Sequence, residues 1–195
     1  MKKTENIAIS ELSRRKPGNP GRGIFKLPWL LIIFLLVGMP VIEAQQATDY
    51  AVQANIIYRF TKYIDWPESK KTGDFIIGMV GDSPLADELK TFIANKTVGN
   101  RKIVIRRFSS SADSYNCNIL FINEDQSSSL KKIAVRTAGS PILLVSEAEG
   151  LATKGSCINF ITVGDHLRLE INKNNIEQRR LGIASELLSL ATIIK

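Results

Sequence analysis

Between Thr48 and Ile64 the positions Ala51, Ala54, Tyr58, Thr61 and Ile64 recur at spacings of three and four, with Ile57 flanking the stripe, which predicts an amphipathic helix. Thr48 or Asp49 is placed to cap its start. Pro67 pushes the residue before it out of the α region, so the helix is expected to end near Asp65-Trp66. Three continuous apolar runs follow: Asp74 to Gly81 (DFIIGMVG), Asn118 to Asn123 (NILFIN) and Pro141 to Val145 (PILLV). Runs of this length without alternation are the profile of strands buried on both faces. The first hands over to a helix in which Ser83 caps, Pro84 opens the first turn, and Leu85, Leu89, Phe92 and Ile93 form the apolar stripe. Asp125 to Ala138 gives a second helix, with Leu130, Ile133, Ala134 and Val135 available for burial.

Between these elements Lys102 to Phe108 alternates, with Ile103 and Ile105 on one side and Lys102, Val104 and Arg106 on the other, which suits a strand near a sheet edge. A different pattern sets in after Ser146. Cys157 to Val163 and the strictly alternating His166 to Ile171 are joined by Gly164-Asp165 and predict a hairpin, with Leu167, Leu169 and Ile171 inward and His166, Arg168 and Glu170 outward. Asn172 caps a short helix, Gly182 breaks it, and Ala184 to Ile194 is expected to be a terminal helix packing through Leu187, Leu188, Leu190, Ala191 and Ile194. The order predicts a single α/β domain of three-layer, Rossmann-like type: a mostly parallel central sheet, a C-terminal hairpin and a terminal helix.

The formal net charge of +7 over 195 residues would suggest an anionic partner if it lay on the fold. Much of it does not. Lys2, Lys3, Arg14, Arg15, Lys16, Arg22 and Lys26 against Glu5, Glu11 and Glu43 give residues 1–44 a net +4, so only +3 remains for residues 45–195. After that basic lead come the apolar run Leu27 to Met39, the breaker Pro40, and Ile42-Glu43-Ala44. This is the three-part pattern of a secretory signal peptide, with cleavage expected after Ala44. The competing reading is an uncleaved membrane anchor. A spanning helix needs about 20 apolar residues, and this run is shorter and holds Gly38. Once cleaved, the chain would have no stable membrane insertion. Export would place Cys117 and Cys157 where a disulfide is permitted. Spacing leaves open whether they are bridged or are two small buried hydrophobes.

Catalytic chemistry has few carriers. The sole histidine, His166, falls on the polar face of a hairpin strand beside Arg168 and Glu170. There is no HExxH, no CxxC and no cluster of Cys and His, so no metal site, cofactor site or catalytic residue is assigned. Gly81-Asp82-Ser83-Pro84 stands at a strand-to-helix junction that could hold an anion, but it has no glycine-rich phosphate motif and reads as a helix cap. Arg101, Lys102, Arg106 and Arg107 form a basic cluster without interleaved aromatics, which is not a nucleic-acid pattern. Trp66 beside Pro67 is either a core lid or an exposed anchor for a partner. Trp66, Arg101, Arg106, His166 and Arg168 are therefore the candidate partner contacts.

Six segments in order carry a resemblance: Tyr58 to Pro67 (YRFTKYIDWP), Phe75 to Leu85 (FIIGMVGDSPL), Cys117 to Ile122 (CNILFI), Pro141 to Val145, Gly155 to Phe160 (GSCINF), and Leu167 to Asn172 (LRLEIN) with the helix Ser185 to Ala191. From about Ala51 onward the chain resembles the YfiR-like family of exported regulatory proteins. The resemblance implies a non-enzymatic periplasmic protein without a cofactor. It would bind the sensor part of an inner-membrane signalling protein, a diguanylate cyclase or a histidine kinase, and hold its output down. Homodimers are common in the family. Small-ligand binding at the C-terminal ends of the strands is the alternative reading. The resemblance extends to Cys117 and Cys157, but the family's disulfide partners for these positions are missing and Gly78 stands where one would be. A bridge between Cys117 and Cys157 would be a new pairing.

Overall fold

The chain is laid out around β2, Phe75–Val80, which has parallel neighbours on both sides. A computed structural model describes residues 41–195, with side chains from residue 50 onward; the signal-peptide reading lies outside the described residues as far as residue 40. The first helix, α1 (Val41–Tyr63), leads into a two-residue strand, β1 (Ile64–Asp65). After β2 come α2 (Leu85–Ile93), the short β3 (Thr97–Val98) and β4 (Arg101–Phe108), then β5 (Ile119–Ile122). A 3-10 turn and α3 (Leu130–Arg136) connect to β6 (Leu143–Glu147), followed by the hairpin β7 (Ile158–Val163) and β8 (His166–Asn172). The remainder is α4 (Lys173–Gln178), β9 (Gly182–Ile183), α5 (Ser185–Leu188) and β10 (Thr192–Ile194).

Eight strands form one sheet in the order β10-β8-β7-β6-β5-β2-β4-β3, while β1 and β9 pair separately. From β8 across to β4 the pairs are parallel except the predicted hairpin β7-β8, whose register places Val163 opposite His166. The chain starts in mid-sheet, winds to β4, then crosses β2 to β5 and winds the other way. Right-handed crossovers in opposite directions put their helices on opposite faces. Contacts agree. Tyr58 of α1 meets Phe92 of α2 edge-on at 5.9 Å on one face, and on the other Arg179, just after α4, donates to carbonyls at the end of α3. Residues 42–195 make one unit with this three-layer α/β architecture. Among the described residues no helix is long and apolar enough to cross a membrane.

The buried stripe of α1 runs through Ala54, Ile57 and Phe60 and continues to Ile64. Ile57 is thus central, while Ala51 is exposed. Phe60 packs on Phe160 of β7, with ring centroids 6.3 Å apart. Trp66 closes the lower end of this layer. It is 5% exposed, stands edge-on to Phe75 at 5.1 Å, and its indole N–H donates to Asn118 O at 3.3 Å.

Two elements differ from expectation. The helix expected over Asp125 to Ala138 begins as a 3-10 segment, Glu124–Ser129, and only Leu130–Arg136 is α-helical; Val135, expected to be buried, is 72% exposed. Three successive serines, poor helix formers that bond to nearby backbone, account for the slow start. The terminal helix is present but is a single turn, Ser185–Leu188, and Thr192–Ile194 instead adds a strand parallel to β8. Three β-branched residues beside an open sheet edge favour the strand.

Gly78 shows how tightly the sheet is covered. A Cβ there would lie 2.8 Å from Leu120 Cδ1 and 2.8 Å from the Phe108 ring. The space that a side chain would take is already filled by this chain's own apolar groups. Gly78→Cys is expected to lose about 2–3 kcal/mol through overpacking, read as a lower urea midpoint with unchanged slope. Wild-type stability in that variant would contradict the packing described.

Candidate functional site

The five candidate contact residues do not share one surface. Arg101 and Arg106 lie on β4 toward one end of the sheet, whereas His166 and Arg168 lie on β8 toward the other, and Trp66 is inside. Arg101 is tied down: its guanidinium donates to Gly73 O at 2.8 Å and Asp74 O at 2.9 Å and covers the Phe75 ring. Arg107 pairs with Asp82. Arg106 is exposed on a strand whose outer edge, among the described residues, is paired only at Arg101 and Lys102, by β3.

The strand-to-helix junction after β2 is a cap. Ser83 Oγ accepts from Leu85 N at 3.2 Å, and Asn123 Nδ2 donates to Asp82 O at 2.7 Å. Gly81 has φ +94, and the carboxylate of Asp125 stands where a Cβ would be. A carboxylate beside the turn that leads into this helix opposes a bound phosphate.

His166 and Arg168 do come together. With Arg59 they rim a groove of about 650 Å³ between α1, β8 and the C-terminal segment, floored in part by Leu169 and Leu187. Val52, Leu190 and Ile193, three of the exposed large hydrophobic residues, are at or beside it; Leu190 is 68% exposed and Ile193 lies on β10 next to β8. Arg59 is oriented by Asn55 Oδ1, 3.1 Å from its Nε.

A second cleft, of about 800 Å³, opens at the C-terminal ends of β5, β6 and β7, beneath Tyr50 and Gln53 of α1. Glu124 and Asp125 enter it from the end of β5, and Glu147 and Glu149 from the end of β6. Among the described residues no lysine, arginine or histidine lines it. Burial pushes the Glu147 carboxyl from 4.5 up to about 7; hydrogen bonds from the Gln53 side chain and the Glu124 backbone act against this, and the charges of Glu124 and Asp125 add to it. Beneath the cleft is a satisfied polar ladder. Asn159 Oδ1 accepts from Ser146 Oγ at 2.7 Å, and its Nδ2 donates to Ala148 O at 2.9 Å and Glu170 Oε2 at 2.8 Å. That ladder fixes the backbone between Glu147 and Glu149.

Because the folded state holds the Glu147 proton more tightly than an unfolded chain does, the group stabilises the fold fully below about pH 4.5, and this contribution is lost as pH rises through about 7. Glu147→Gln should remove that dependence. At pH 8 the variant is expected to exceed wild type by about 1–2 kcal/mol, after discounting for partial exposure, with little difference at pH 4. Parallel stability curves from pH 4 to 8 would contradict the burial of this carboxyl.

Cys117 and Cys157 are free thiols, and the disulfide considered from sequence is not made. Cys117 precedes β5 and Cys157 precedes β7, with β6 between them. Two inter-strand steps of about 4.8 Å already exceed the roughly 7 Å reach of a disulfide between Cα atoms. Burial pushes Cys117 up to about 12 and Cys157 up to about 11, so neither is a thiolate at neutral pH. Reductant should leave the unfolding midpoint unchanged, and thiol labelling should require unfolding; a bridge would instead contribute about 4 kcal/mol.

The position of this cleft at the strand C-terminal ends matches the alternative ligand-binding reading, but its acidic character was missed, although a signal was present: Glu124-Asp125 and Glu147-Ala148-Glu149 each come at the end of an apolar strand, after a single polar residue, Asn123 or Ser146. Among the described residues no group of His, Cys, Asp or Glu is arranged to hold a metal ion. No curated protein matches the chain. The model of one family, described as YfiR/HmsC-like, matches residues 50–192, from the described start of α1 side chains to the first residue of β10. With nearly the whole folded unit covered, the chain belongs to the YfiR/HmsC-like family.

Proposed function

We propose that the protein binds the periplasmic sensor part of an inner-membrane signalling protein, a diguanylate cyclase or a histidine kinase, and holds its output down. The YfiR/HmsC-like family is a periplasmic regulatory family, and the match over residues 50–192 is the observation that carries the reading. A regulator of this kind works by binding one receptor conformation better than another, and it shifts the equilibrium only by that difference. On this reading the leader is removed on export; an intact Met1 on membrane-bound protein would contradict that.

The groove around His166 and Arg168 is the surface proposed for the receptor. It joins exposed apolar side chains to a cationic rim, the combination of apolar centre and polar edge found in protein interfaces. Among the described residues the outer edge of β10 has no strand partner, which also supports a homodimer through that edge, read by mass in solution. Recovery from solubilised inner membranes tests the reading: a cyclase or kinase should be retained on the immobilised protein, and its absence would contradict it. A small-ligand-binding role is the second reading, favoured by the acidic cleft. The two readings are compatible.

A further inference from the structure

The cleft at the ends of β5, β6 and β7 has an incomplete electrostatic and hydrogen-bonding arrangement. Four carboxylates converge on it, and none of the four forms an ion pair with a described residue. An acidic surface facing water would need no further explanation. Gln53 is different. It is 6% exposed, its side chain reaches Glu147 in the cleft, and its Oε1 has no hydrogen-bond partner among the described residues. A buried acceptor left without a donor is costly, and few native side chains are left so.

We propose that this cleft binds a small organic cation, an amine or guanidino compound, whose N–H groups are held by Gln53 Oε1 and the carboxylate of Glu147 with Glu124 and Asp125 behind them. This deepens the ligand-binding reading and does not depend on the receptor. An ammonium or guanidinium supplies both missing items, several donors and positive charge, whereas an anion would meet only acceptors. A bare metal ion is disfavoured because the acidic groups are not gathered into a coordination set. The cleft volume of about 800 Å³ is that of a small-molecule site, and Phe160 and Leu167 give an apolar wall for the body of the ligand.

The site also predicts linkage. A seated cation favours the ionised form of Glu147, so binding releases a proton and tightens as pH rises through about 7. The other titratable groups on the cleft are Tyr50, Glu124, Asp125 and Glu149; none is a base that would oppose this.

Calorimetric titration of the protein, purified as the cell processes it, with agmatine and with cadaverine tests the proposal, with glutarate as the anionic control. Binding of at least one amine is expected with a dissociation constant of about 100 μM or tighter, at least several-fold tighter at pH 8 than at pH 6, and no binding of glutarate. Glu147→Gln and Gln53→Leu should each weaken it about tenfold or more, while Arg106→Gln on the far strand should not. Each variant is compared by its unfolding curve, and the exposed Glu149→Gln provides a further charge removal if a buried change perturbs folding. Equal affinity in wild type and Glu147→Gln, no binding of either amine at 10 mM (about −3 kcal/mol), or glutarate binding as tightly would overturn it. In the last case the cleft would still be a ligand site, and only the cationic assignment would fall.

Discussion

Trp66→Ala is expected to cost about 4 kcal/mol and to lower the melting temperature of this roughly 150-residue unit by about 8–16 °C. The indole is almost wholly removed from water, packs edge-on against Phe75, and spends its one donor on the Asn118 carbonyl. Truncation leaves a cavity at the junction of α1 with the sheet and frees that acceptor. Asn118 is itself a hub: its side chain accepts from Ile76 N at 3.0 Å and donates to Lys70 O at 3.3 Å, so Trp66, β2 and β5 are joined through one residue. Trp66→Phe keeps the edge contact and loses the hydrogen bond, and should cost about half as much. Chemical denaturation of the three proteins checks the order. A Trp66→Ala protein as stable as wild type would show that the indole is not the lid described.

Arg179→Ala is the second large effect, a loss of about 3 kcal/mol. Arg179 is 5% exposed and has no carboxylate partner among the described residues. Its guanidinium donates to Thr137 O at 2.9 Å, Thr137 Oγ1 at 3.0 Å and Ala134 O at 3.3 Å, which lie at the C-terminal end of α3 where the carbonyls have no helical partner. The helix dipole favours a cation there, and the planar fork reaches several acceptors at once. Desolvation lowers its pKa from 12.5, and a guanidinium stays protonated in proteins. Arg179→Lys cannot reproduce the fork and is expected to recover less than half of the loss, measured by the same denaturation curves. Full recovery by lysine would mean that charge alone matters.

These two residues also mark what the sequence could and could not tell. Trp66 was open between lid and anchor because a lone tryptophan next to a proline suits either; only its placement over Phe75 separates the two environments. The three apolar runs were legible as central strands because burial on both faces removes all polar positions from them. The hairpin was legible because alternation and Gly164-Asp165 agree. Arg179 was not, since an arginine near the end of a short polar helix looks like any solvated cation until α3 is packed beside it. The terminal helix was overextended for a related reason: Leu187, Leu188, Leu190, Ala191 and Ile194 fit a helical stripe, and nothing local reveals that β8 leaves an edge for Thr192–Ile194 to pair with. Of the candidate contacts, His166 and Arg168 were recognised as neighbours on one strand face. Their grouping with Arg59 and Leu190 depends on α1 and the C-terminal segment meeting there.

The two clefts have opposite character, a cationic and apolar groove at β8 and an acidic one at the ends of β5 to β7, and Leu167 lines both. A ligand in the second that shifts β8 would alter the first, which is how a periplasmic regulator would couple a small molecule to receptor binding. The claim beneath that coupling is receptor binding through the groove. Its most direct measurement is parallel recovery from solubilised inner membranes on immobilised wild-type protein and on Leu190→Glu, which places a charge on an exposed side chain without disturbing the core. The account predicts a cyclase or histidine kinase retained by wild type and reduced about tenfold or more on the variant. Recovery of no inner-membrane signalling protein by wild type, or equal recovery on both, would contradict it.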